Sequence, residues 1–412
     1  MQEVPKPAEP ENFALYRPKL IQYIARAQPD AFDEIQRMLM SIENQHPVGL
    51  EGEPGTGKNQ LIDFLASARG KSVGRVRCTE ELTLESLLGK ERIRSERAEH
   101  GVIMNSIYEE GIIPLTYAAG ADLVLDEFNQ LLPTVQKGMN SMFEDKKTIC
   151  VDGKHREKKG DGATYVTFNP KTGVTGQDLE KAVKDRLKII PLPEIPLELQ
   201  ARITLIKTGI IKPEEIIDEA MEQRAIITYE ENGRQKYQFL EKQGKVYVEY
   251  RTGREAKKGE LREYLFYTGK ESSLRLTGAK NEAYKVAQSL VALADDVNKF
   301  KNHGTSVFDD DFNQALGLDQ VSKIGIESGG LRIIAKVMED YALMTERGQM
   351  LDDILPTLAR TYLDNICTLE MRHMPIGKKD NKDISIYEVL ETMAAKRGFF
   401  PIKRHKYASI AD

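Results

Sequence analysis

Between Pro47 and about Pro193, short apolar runs alternate with segments of helical periodicity. This alternation is typical of a parallel sheet that is covered by helices on both faces. The predicted strands are Val48–Leu50, Val73–Cys78, Leu123–Asp126, Tyr165–Phe168 and Lys188–Leu192. In addition, Thr148–Lys154 and His155–Lys158 predict an added hairpin that turns at Asp152-Gly153.

The segment before this alternation predicts a tail and then helices. Pro5, Pro7 and Pro10 disfavour regular helix over residues 1–12. Two helical patterns follow, and the second places its apolar residues on one face, namely Phe32, Ile35, Met38, Leu39 and Ile42. We interpret this stripe as core packing rather than as a ligand site.

The pattern changes twice after the alternating segment. Residues 225–268 alternate apolar and polar positions, with turn signals at Asn232-Gly233 and Gln243-Gly244. They predict an antiparallel β insertion with strands at Ala225–Tyr229, Tyr237–Glu241 and Val246–Tyr250. Helical stripes then return, first at Ala283, Val286, Ala287, Leu290, Val291 and Ala294, and later at Ile333, Ile334, Val337, Met338 and Tyr341. The second half of the chain is therefore predicted to be mostly helical.

Composition narrows the class of protein. The chain has 412 residues, 40% of them hydrophobic and 30% charged, which is enough for about two to three domains with buried cores. Its formal net charge of −5 argues against nucleic-acid binding through bulk positive charge, but it leaves room for a local basic patch. Three scattered cysteines, Cys78, Cys150 and Cys367, are too few for a disulfide framework or a Cys-based zinc site. The chain has no long apolar run and its N-terminus is acidic and Pro-rich, so we expect a cytoplasmic protein without a membrane span.

The sharpest local signal is a glycine-rich segment between a predicted strand and a predicted helix. It consists of Gly52, Glu53, Pro54, Gly55, Thr56, Gly57, Lys58 and Asn59, and it is followed by Gln60. Glycines at such a turn expose consecutive backbone N–H groups, and the following helix adds its positive N-terminal end, so the segment can cradle a polyphosphate. Lys58 is expected to reach the β- and γ-phosphates. The position that usually holds a Ser or Thr ligand of Mg²⁺ is Asn59, whose amide oxygen can also bind the metal but with a different reach.

A second signal is the apolar run Leu123–Leu125, which ends in the two carboxylates of Asp126 and Glu127. After a phosphate loop, this arrangement has the form of a Walker B motif. Asp126 would bind the hydration shell of Mg²⁺, and Glu127 would polarise the attacking water. The alternative is a strand that runs into an acidic turn. The order of the two motifs within one α/β domain favours the nucleotide site.

A third signal is Asn169, which follows the predicted strand Tyr165–Phe168 and precedes Pro170. In a parallel sheet, this strand and the one that carries Asp126 deliver their last residues to the same carboxyl edge. Asn169 could therefore orient the lytic water or contact the γ-phosphate. An ordinary Asn-Pro turn explains this residue pair equally well.

Together these motifs resemble those of AAA+ ATPases, specifically the MoxR/CbbQ/GvpN-like (dynein-related) group, which includes McrB-type modules. The resemblance is strong over about residues 30–200 and looser over 280–345. It also rests on Leu82–Gly89, Gly111–Leu115, the Asp126-Glu127-Phe128-Asn129 signature, and Phe168-Asn169-Pro170 as sensor 1. The phosphate loop departs from the family pattern at Asn59, although the same Gly-Thr-Gly-Lys-Asn ending occurs in torsins.

The resemblance implies roles for two arginines. Leu179–Leu187 resembles a helix with a conserved Asp-Arg pair, which makes Arg186 the candidate arginine finger of a neighbouring subunit. The alternative is a surface ion pair with one of two nearby aspartates, Asp178 and Asp185. Ser328–Arg332 resembles sensor 2, which makes Arg332 the candidate lid arginine that completes the site in cis. Its alternative is a structural role.

The implied fold is α/β, a P-loop AAA+ core with a parallel sheet between helices, followed by an α-helical lid that carries a β-hairpin insertion. The expected boundaries are 1–29 for an N-terminal tail and helix, 30–195 for the nucleotide-binding core, 196–224 for the start of the lid, 225–270 for the β insertion, 271–365 for the helical lid and 366–412 for a C-terminal extension. The insertion contains Tyr247, Tyr250, Tyr264 and Tyr267. We expect these tyrosines to pack within their own hairpins rather than to form a partner surface.

The implied activity is Mg²⁺-dependent ATP hydrolysis, with ATP and Mg²⁺ bound, by a homo-oligomeric ring for which a hexamer is favoured. Such a ring would remodel or activate a protein client, and a von Willebrand factor A-domain protein is one candidate. Two alternatives stay open. One is an NTPase subunit of a nucleic-acid-directed, McrB-like machine, for which the sequence shows no basic module. The other is a nucleotide-binding scaffold with weak hydrolysis, which Asn59 alone supports.

Overall fold

The computed structural model describes residues 15–19, 21–26, 33–98, 101–144, 148–151, 154–170, 178–250, 252–272, 274–303, 330–367, 372, 375–379 and 382–400. The chain divides into two compact units. The first unit combines residues 1–194 with 219–270, and the second combines 195–218 with 271–412.

The first unit contains both sheets that matter for the candidate site. In chain order its elements are β1 (Ile24–Arg26), α1 (Glu34–Glu43), β2 (Val48–Glu51), α2 (Lys58–Ala68), β3 (Val73–Arg77), α3 (Leu84–Leu88), β4 (Gly89–Ala98), β5 (Gly101–Glu110), α4 (Ile112–Ala119), β6 (Asp122–Asp126), α5 (Pro133–Gly138), β7 (Thr148–Val151), β8 (Lys154–Glu157), β9 (Thr164–Phe168), α6 (Lys181–Lys184), β10 (Lys188–Pro191), β11 (Met221–Glu231), β12 (Arg234–Gln243), β13 (Val246–Glu249) and β14 (Glu260–Tyr267).

Five parallel strands form the central sheet, in the order β10-β2-β9-β6-β3. All five strands predicted from the sequence are confirmed, and no end differs by more than one residue. Every residue of β9 is buried, as expected for a strand with helices on both faces. Because the strands are parallel, the carboxyl ends of β2, β6 and β9 lie at one edge, where the segments that follow them meet.

Helices cover the central sheet on both sides. On one side α1 and α2 contribute the apolar residues that pack against β2 and β9, and on the other side α3, α4 and α5 pack against β3 and β6. The start of α1 is set by a capping box, in which the Asp33 carboxylate accepts from the Gln36 N–H at 2.7 Å. Four residues of the predicted stripe, Ile35, Met38, Leu39 and Ile42, are buried, which confirms their role in the core, and Phe32 lies outside the described residues.

A second sheet has the order β1-β14-β11-β12-β13, and we call it the accessory sheet. Its strands are antiparallel, except that β1 pairs in parallel with β14. The predicted β insertion is thereby confirmed, and β14 is a further strand within it. Asn232 and Gly233 connect β11 to β12 with φ angles of 54° and 70°. Positive φ at both positions is the requirement of a type I′ turn, which explains the Asn-Gly pair.

The accessory sheet groups with the α/β unit and not with the helices that flank it in sequence. Four side chains on one of its faces, Ile226, Tyr237, Tyr264 and Phe266, join the core cluster of α1 and α2. Tyr264 thus packs outside its own hairpin. Sequence order alone suggests an insertion carried by the lid, because the insertion lies between two lid segments along the chain. Sequence order does not reveal which surface the apolar face of the sheet covers.

The N-terminal helix expected before residue 30 is wrong for the residues that the structure describes there. Ile24–Arg26 form β1, which extends the accessory sheet beside β14. All three residues are buried. A short buried segment cannot be distinguished as helix or strand by periodicity alone, and here the open edge of β14 decides the outcome.

Two hairpins extend from the core. The predicted hairpin is confirmed as β7 paired with β8, although its turn at residues 152 and 153 lies outside the described residues. A longer hairpin of β4 and β5, paired from Gly89 with Glu110 to Ala98 with Gly101, was not expected. Its first strand is mostly charged, and Ile93 is 73% exposed, so the sequence of this strand lacks the apolar alternation that marks a half-buried strand.

The second unit is mostly helical, as predicted. Its elements are α7 (Leu197–Lys207), α8 (Gly278–His303), α9 (Leu331–Glu346), α10 (Leu351–Ile366), β15 (Pro375–Lys379), β16 (Lys382–Ser385) and α11 (Ile386–Lys396). The predicted stripe on α8 is buried throughout, and on α9 only Ile333 of its stripe is half-exposed. Within the described part of the chain, no helix is long and apolar enough to cross a membrane.

Arg69, which follows α2, connects several elements of the first unit inside the protein. Its Nη1 donates to both carboxylate oxygens of Asp122 at 3.0 and 2.8 Å, and neither side chain is exposed to solvent. Its Nε donates to the Tyr237 hydroxyl at 2.8 Å, and its Nη2 donates to the Asp161 carbonyl at 2.7 Å. Asp122 also accepts from the Ala163 N–H at 2.7 Å. The end of α2, the start of β6 and the accessory strand β12 therefore meet at one guanidinium.

Replacing Arg69 should strongly destabilise the first unit. Arg69→Met leaves the Asp122 carboxylate buried without its cation, which typically lowers the free energy of unfolding by about 3–5 kcal/mol. The matched control is Lys71→Met, because Lys71 pairs with the partly exposed Asp161 and should contribute less than about 1 kcal/mol. Urea unfolding followed by circular dichroism measures both variants. Equal losses in the two would contradict the role given to the buried pair.

Candidate nucleotide site

The glycine-rich segment forms a tight loop between β2 and α2. Gly55 and Gly57 have φ angles of 90° and 91°, a region that residues with a Cβ rarely occupy. Gly57 is also the residue before the first turn of α2, so the loop leads directly into a helix N-terminus. A Cβ at Gly52 would lie only 2.9 Å from the Thr56 Oγ1 and 3.0 Å from the Leu192 carbonyl oxygen. The loop therefore has the turns and the close backbone approach that a phosphate cradle needs.

Lys58 points back along the loop. Its Nζ donates to the carbonyls of Gly52 and of Glu53, the latter at 3.1 Å, and to the Asn169 Oδ1 at 2.9 Å. Burial lowers the pKa of Lys58, and the neighbouring Asp126 opposes that shift. A partly desolvated ammonium group that is held by neutral oxygens is well placed to exchange them for phosphate oxygens.

Asn59 is the next residue of α2 and lies beside the end of β6. Its Nδ2 donates to the Asp126 Oδ2 at 3.0 Å, while its Oδ1 is buried and lacks a hydrogen-bond partner among the described atoms. A buried oxygen without a donor, next to a carboxylate, is the donor set that a hard cation such as Mg²⁺ prefers. The residues present thus fit the metal, and Asn59 with Asp126 would hold it.

The two carboxylates after β6 are organised by Thr167 of β9. The Thr167 hydroxyl donates to the Asp126 Oδ1, and it accepts from the Glu127 N–H at 3.0 Å. Glu127 has φ 56° and ψ 41°, a left-handed conformation that costs about 1–2 kcal/mol for a residue with a side chain. The hydroxyl of Thr167 therefore fixes the turn that sends Asp126 and Glu127 in different directions.

Arg77, at the end of β3, contacts the Glu127 side chain. The Arg77 Nε lies 3.4 Å from the Glu127 Oε2, with 76% of the arginine side chain exposed. Exposed pairs of this kind contribute little to stability. The contact nevertheless places a cation next to the carboxylate that the sequence assigns to water activation.

The remaining loop residues surround this centre. Thr56 is buried and its Oγ1 donates to the Glu53 carbonyl at 2.9 Å, whereas Pro54, Gly55 and Gln60 are exposed. Behind the site, Cys78 is buried, and its N–H donates to the Asp126 carbonyl at 2.7 Å. Burial raises the pKa of the Cys78 thiol to about 12, so it is neutral and inert beside the carboxylates.

The structure brings most of the candidate site residues together, but it does not bring all of them. Lys58, Asn59, Asp126 and Asn169 are linked by direct hydrogen bonds, and Glu127 is tied to Asp126 through Thr167. Thr167 and Arg77 were not singled out from the sequence, because their role depends on β9 and β3 both flanking β6. One local signal for Thr167 is its position two residues before Asn169, because side chains two residues apart in an extended strand lie on the same face.

Arg186 lies just after α6 and is partly exposed. Its Nη1 donates to the Ala182 carbonyl at 2.6 Å, and its Nη2 pairs with the Glu144 carboxylate at 3.2 Å. The ion pair is thus with Glu144, which sequence reasoning did not consider, rather than with a nearby aspartate. Arg332 belongs to the second unit, where it is exposed in the first turn of α9.

Comparison with known proteins identifies the segment that carries this site. Residues 47–187 match the family model of the AAA domain (dynein-related subfamily). The chain carries a dynein-related AAA domain. The AAA domain contains every candidate site residue except Arg332.

Relatives share this AAA domain. The chain is 27% identical to the protein CbbQ of Hydrogenophilus thermoluteolus over 191 residues, which cover 44% of this chain and 68% of CbbQ. It is 27% identical to YojN of Bacillus subtilis (strain 168), an uncharacterized protein, over 48% of this chain and 62% of YojN. It is 29% identical to midasin of Giardia intestinalis over 30% of this chain, a stretch that spans only 2% of midasin. The resemblance to the MoxR/CbbQ/GvpN-like group is thereby confirmed.

Removing the Thr167 hydroxyl should misplace the Asp126 and Glu127 carboxylates and slow any ATP hydrolysis that depends on them. Thr167→Val keeps the shape but removes a hydrogen bond to the Asp126 carboxylate and one from the Glu127 N–H, so we expect a loss in kcat of about tenfold or more. Thr164→Val, at the other end of the same buried strand, is the matched control and should retain kcat. Steady-state ATPase assays measure both. A Thr167→Val protein as active as the control would show that this hydroxyl does not orient the carboxylates.

Proposed function

We propose that the chain binds ATP with Mg²⁺ and hydrolyses it. The observation that carries this proposal is the convergence of three distant segments at one edge of the central sheet. The Lys58 Nζ lies 2.9 Å from the Asn169 Oδ1, and the Asn59 Nδ2 lies 3.0 Å from the Asp126 Oδ2. A phosphate-binding lysine, a metal-binding pair and a polar residue near the γ-phosphate are the parts that phosphoryl transfer requires.

Each residue has a role that follows from its chemistry. The N–H groups of the loop and the start of α2 bind the phosphates, and Lys58 neutralises charge on the β- and γ-phosphates. Asn59 and Asp126 would hold Mg²⁺, and the ion would neutralise charge that develops on the phosphate oxygens. Asn169 accepts a hydrogen bond from the Lys58 ammonium and contacts the γ-phosphate as a sensor.

Glu127 acts on the attacking water. As a carboxylate at the end of β6, it accepts a proton from water while the water oxygen attacks the γ-phosphorus and the bond to ADP breaks. The hydrogen bond from the Glu127 N–H to Thr167 holds the backbone from which this carboxylate extends. The Arg77 side chain pairs with Glu127, and this ion pair has to open when the carboxylate binds the attacking water.

Hydrolysis would be coupled to assembly through Arg186. This guanidinium is partly exposed and contacts only the Ala182 carbonyl and the half-exposed Glu144 among its observed partners, so a neighbouring subunit can recruit it. Arginine fingers supplied in trans raise turnover by about 10³–10⁵-fold. The family resemblance makes Arg332 the candidate lid arginine. The group resemblance supports a homo-oligomeric ring, with a hexamer favoured, that remodels a protein client, for which a von Willebrand factor A-domain protein is one candidate.

A second candidate function is a nucleotide-binding scaffold with weak hydrolysis. The observation in its favour is the hydrogen bond from the Asn59 Nδ2 to Asp126, which occupies one carboxylate oxygen that could otherwise face the metal shell. The two functions differ in turnover and not in nucleotide binding, so measured hydrolysis separates them.

A mixing experiment tests the shared site. Glu127→Gln and Arg186→Ala should each abolish ATP turnover, because one variant lacks the base and the other lacks the finger. An equimolar mixture should recover about a quarter of wild-type activity, since random assembly pairs an intact base with an intact finger at that frequency. Lys184→Ala, at an exposed position on the short helix that precedes Arg186, is the control and should stay active.

The outcomes of the mixture distinguish the two functions and the position of the finger. Two inactive variants that stay inactive when mixed would show that Arg186 does not act in trans. Wild-type protein that binds nucleotide but has no turnover at any concentration would support the scaffold.

Altering Asn59 should change the requirement for Mg²⁺. Asn59→Leu keeps the volume and removes the unpartnered oxygen, so the Mg²⁺ concentration for half-maximal activity should rise about tenfold. Asn59→Thr places at this position the hydroxyl that is usual in the motif, so its half-maximal Mg²⁺ concentration should lie closer to the wild-type value. Binding of ATP in EDTA serves as the control and should be unchanged. An unaltered Mg²⁺ requirement in Asn59→Leu would show that the metal is held without Asn59.

A further inference from the structure

A buried arginine of the accessory sheet contacts the phosphate loop. Arg26 ends β1 and is 4% exposed. Its Nη2 donates to the Thr56 carbonyl at 3.0 Å, and its Nη1 donates to the Pro193 carbonyl at 2.9 Å. Its Nε and its backbone N–H donate to the two oxygens of Glu34 at 3.1 and 2.8 Å. One side chain thus joins the accessory sheet, the start of α1 and the loop.

The contact with Thr56 has a consequence for the next residue. The peptide bond between Thr56 and Gly57 is planar, so its C=O and N–H groups point in opposite directions. A guanidinium that holds the Thr56 carbonyl therefore fixes the direction of the Gly57 N–H, on the far side of the peptide plane. Gly57 has φ 91° and no Cβ, so the residue itself offers little resistance to a flip of this peptide.

The accessory sheet supplies the rigid base for Arg26. The parallel pairing of β1 with β14 aligns Ile24 with Leu265 and Arg26 with Tyr267. Next to Glu34, the buried Asp33 accepts from the Tyr264 hydroxyl of β14 at 2.8 Å and pairs with Arg224 of β11 at 3.3 Å. Two buried carboxylates and two buried guanidiniums thus hold the sheet against α1.

The loop has little freedom on the side of this contact. Gly52 is so close to Thr56 and Leu192 that a Cβ would clash with both. Leu192 precedes Pro193, whose carbonyl Arg26 also holds. A shift of Arg26 would therefore move the loop, because the close packing leaves no void into which the side chain could move alone.

We propose that Arg26 is a positioning residue that locks the Thr56-Gly57 peptide so that the Gly57 N–H faces the phosphates, with the accessory sheet as its fixed support. This inference rests on the proposed nucleotide binding. It gives the β insertion a function as the support of a contact with the nucleotide site, because β14 of the insertion pairs with the strand that carries Arg26.

Two matched substitutions in the full chain test this role. Arg26→Lys keeps a cation beside Glu34, so the carboxylate stays paired. The lysine ammonium cannot at the same time reach the Thr56 and Pro193 carbonyls, so the Thr56-Gly57 peptide loses its hydrogen bond. Arg224→Lys makes the same change at the other buried pair of the sheet, and among the described residues the observed contacts of Arg224 do not include the loop. Binding of a fluorescent ATP analogue gives Kd, ATPase assays give KM and kcat, and thermal unfolding gives Tm.

For Arg26→Lys we expect Kd and KM for the nucleotide to rise about tenfold, the usual effect of losing a hydrogen bond from a charged donor, with a smaller change in kcat. We expect Tm to fall by a comparable amount in both variants, but Arg224→Lys should leave Kd and KM unchanged. Equal Kd values for Arg26→Lys and wild type, or an equal rise in both variants, would overturn the positioning role and leave the proposed function intact. A wild-type chain that binds no nucleotide would overturn the proposed function together with this inference.

Discussion

The buried ion pair between Arg69 and Asp122 is the contact on which the geometry of the first unit depends. Arg69 is the C-cap of the helix that Lys58 begins, and Asp122 begins the strand that Asp126 ends. The helix is about 16 Å long over these residues at 1.5 Å per residue, and the strand is about 13 Å long. Joining them firmly at one end therefore sets the distance between the phosphate loop and the carboxylates at the other end.

The same pair explains why polar groups are tolerated so deep in this core. Burying a guanidinium and a carboxylate costs several kcal/mol unless every donor and acceptor is used. Here the Tyr237 hydroxyl, the Asp161 carbonyl and the Ala163 N–H complete the network. Because Tyr237 comes from the accessory sheet, that sheet is tied to both ends of α2, through Arg69 at one end and through Arg26 at the other.

Much of the fold and of the candidate site could be predicted from the sequence, and the successes share one physical reason. Apolar strands that end in polar residues mark the carboxyl edge of a parallel sheet, so Asp126 and Asn169 could be assigned to one place, opposite Lys58. Thr167 and Arg77 could not, since their contacts depend on strand order, which no local pattern encodes. The docking of the accessory sheet was equally out of reach, because an apolar face shows that it needs a partner without showing which one.

Helix α2 illustrates how the packing of the first unit extends beyond the segment that matches the AAA-domain family model. Phe64 is buried on its outer side, where its ring stacks with Tyr23 at 5.8 Å and meets Tyr264 edge-on at 6.2 Å. Both tyrosines lie outside residues 47–187, which match the AAA domain. A segment taken from another protein, by recombination or by design, would therefore need a side chain at the position of Phe64 that packs against these two tyrosines. Evolution of the segment that matches the AAA domain is therefore constrained by residues that lie far from it in sequence.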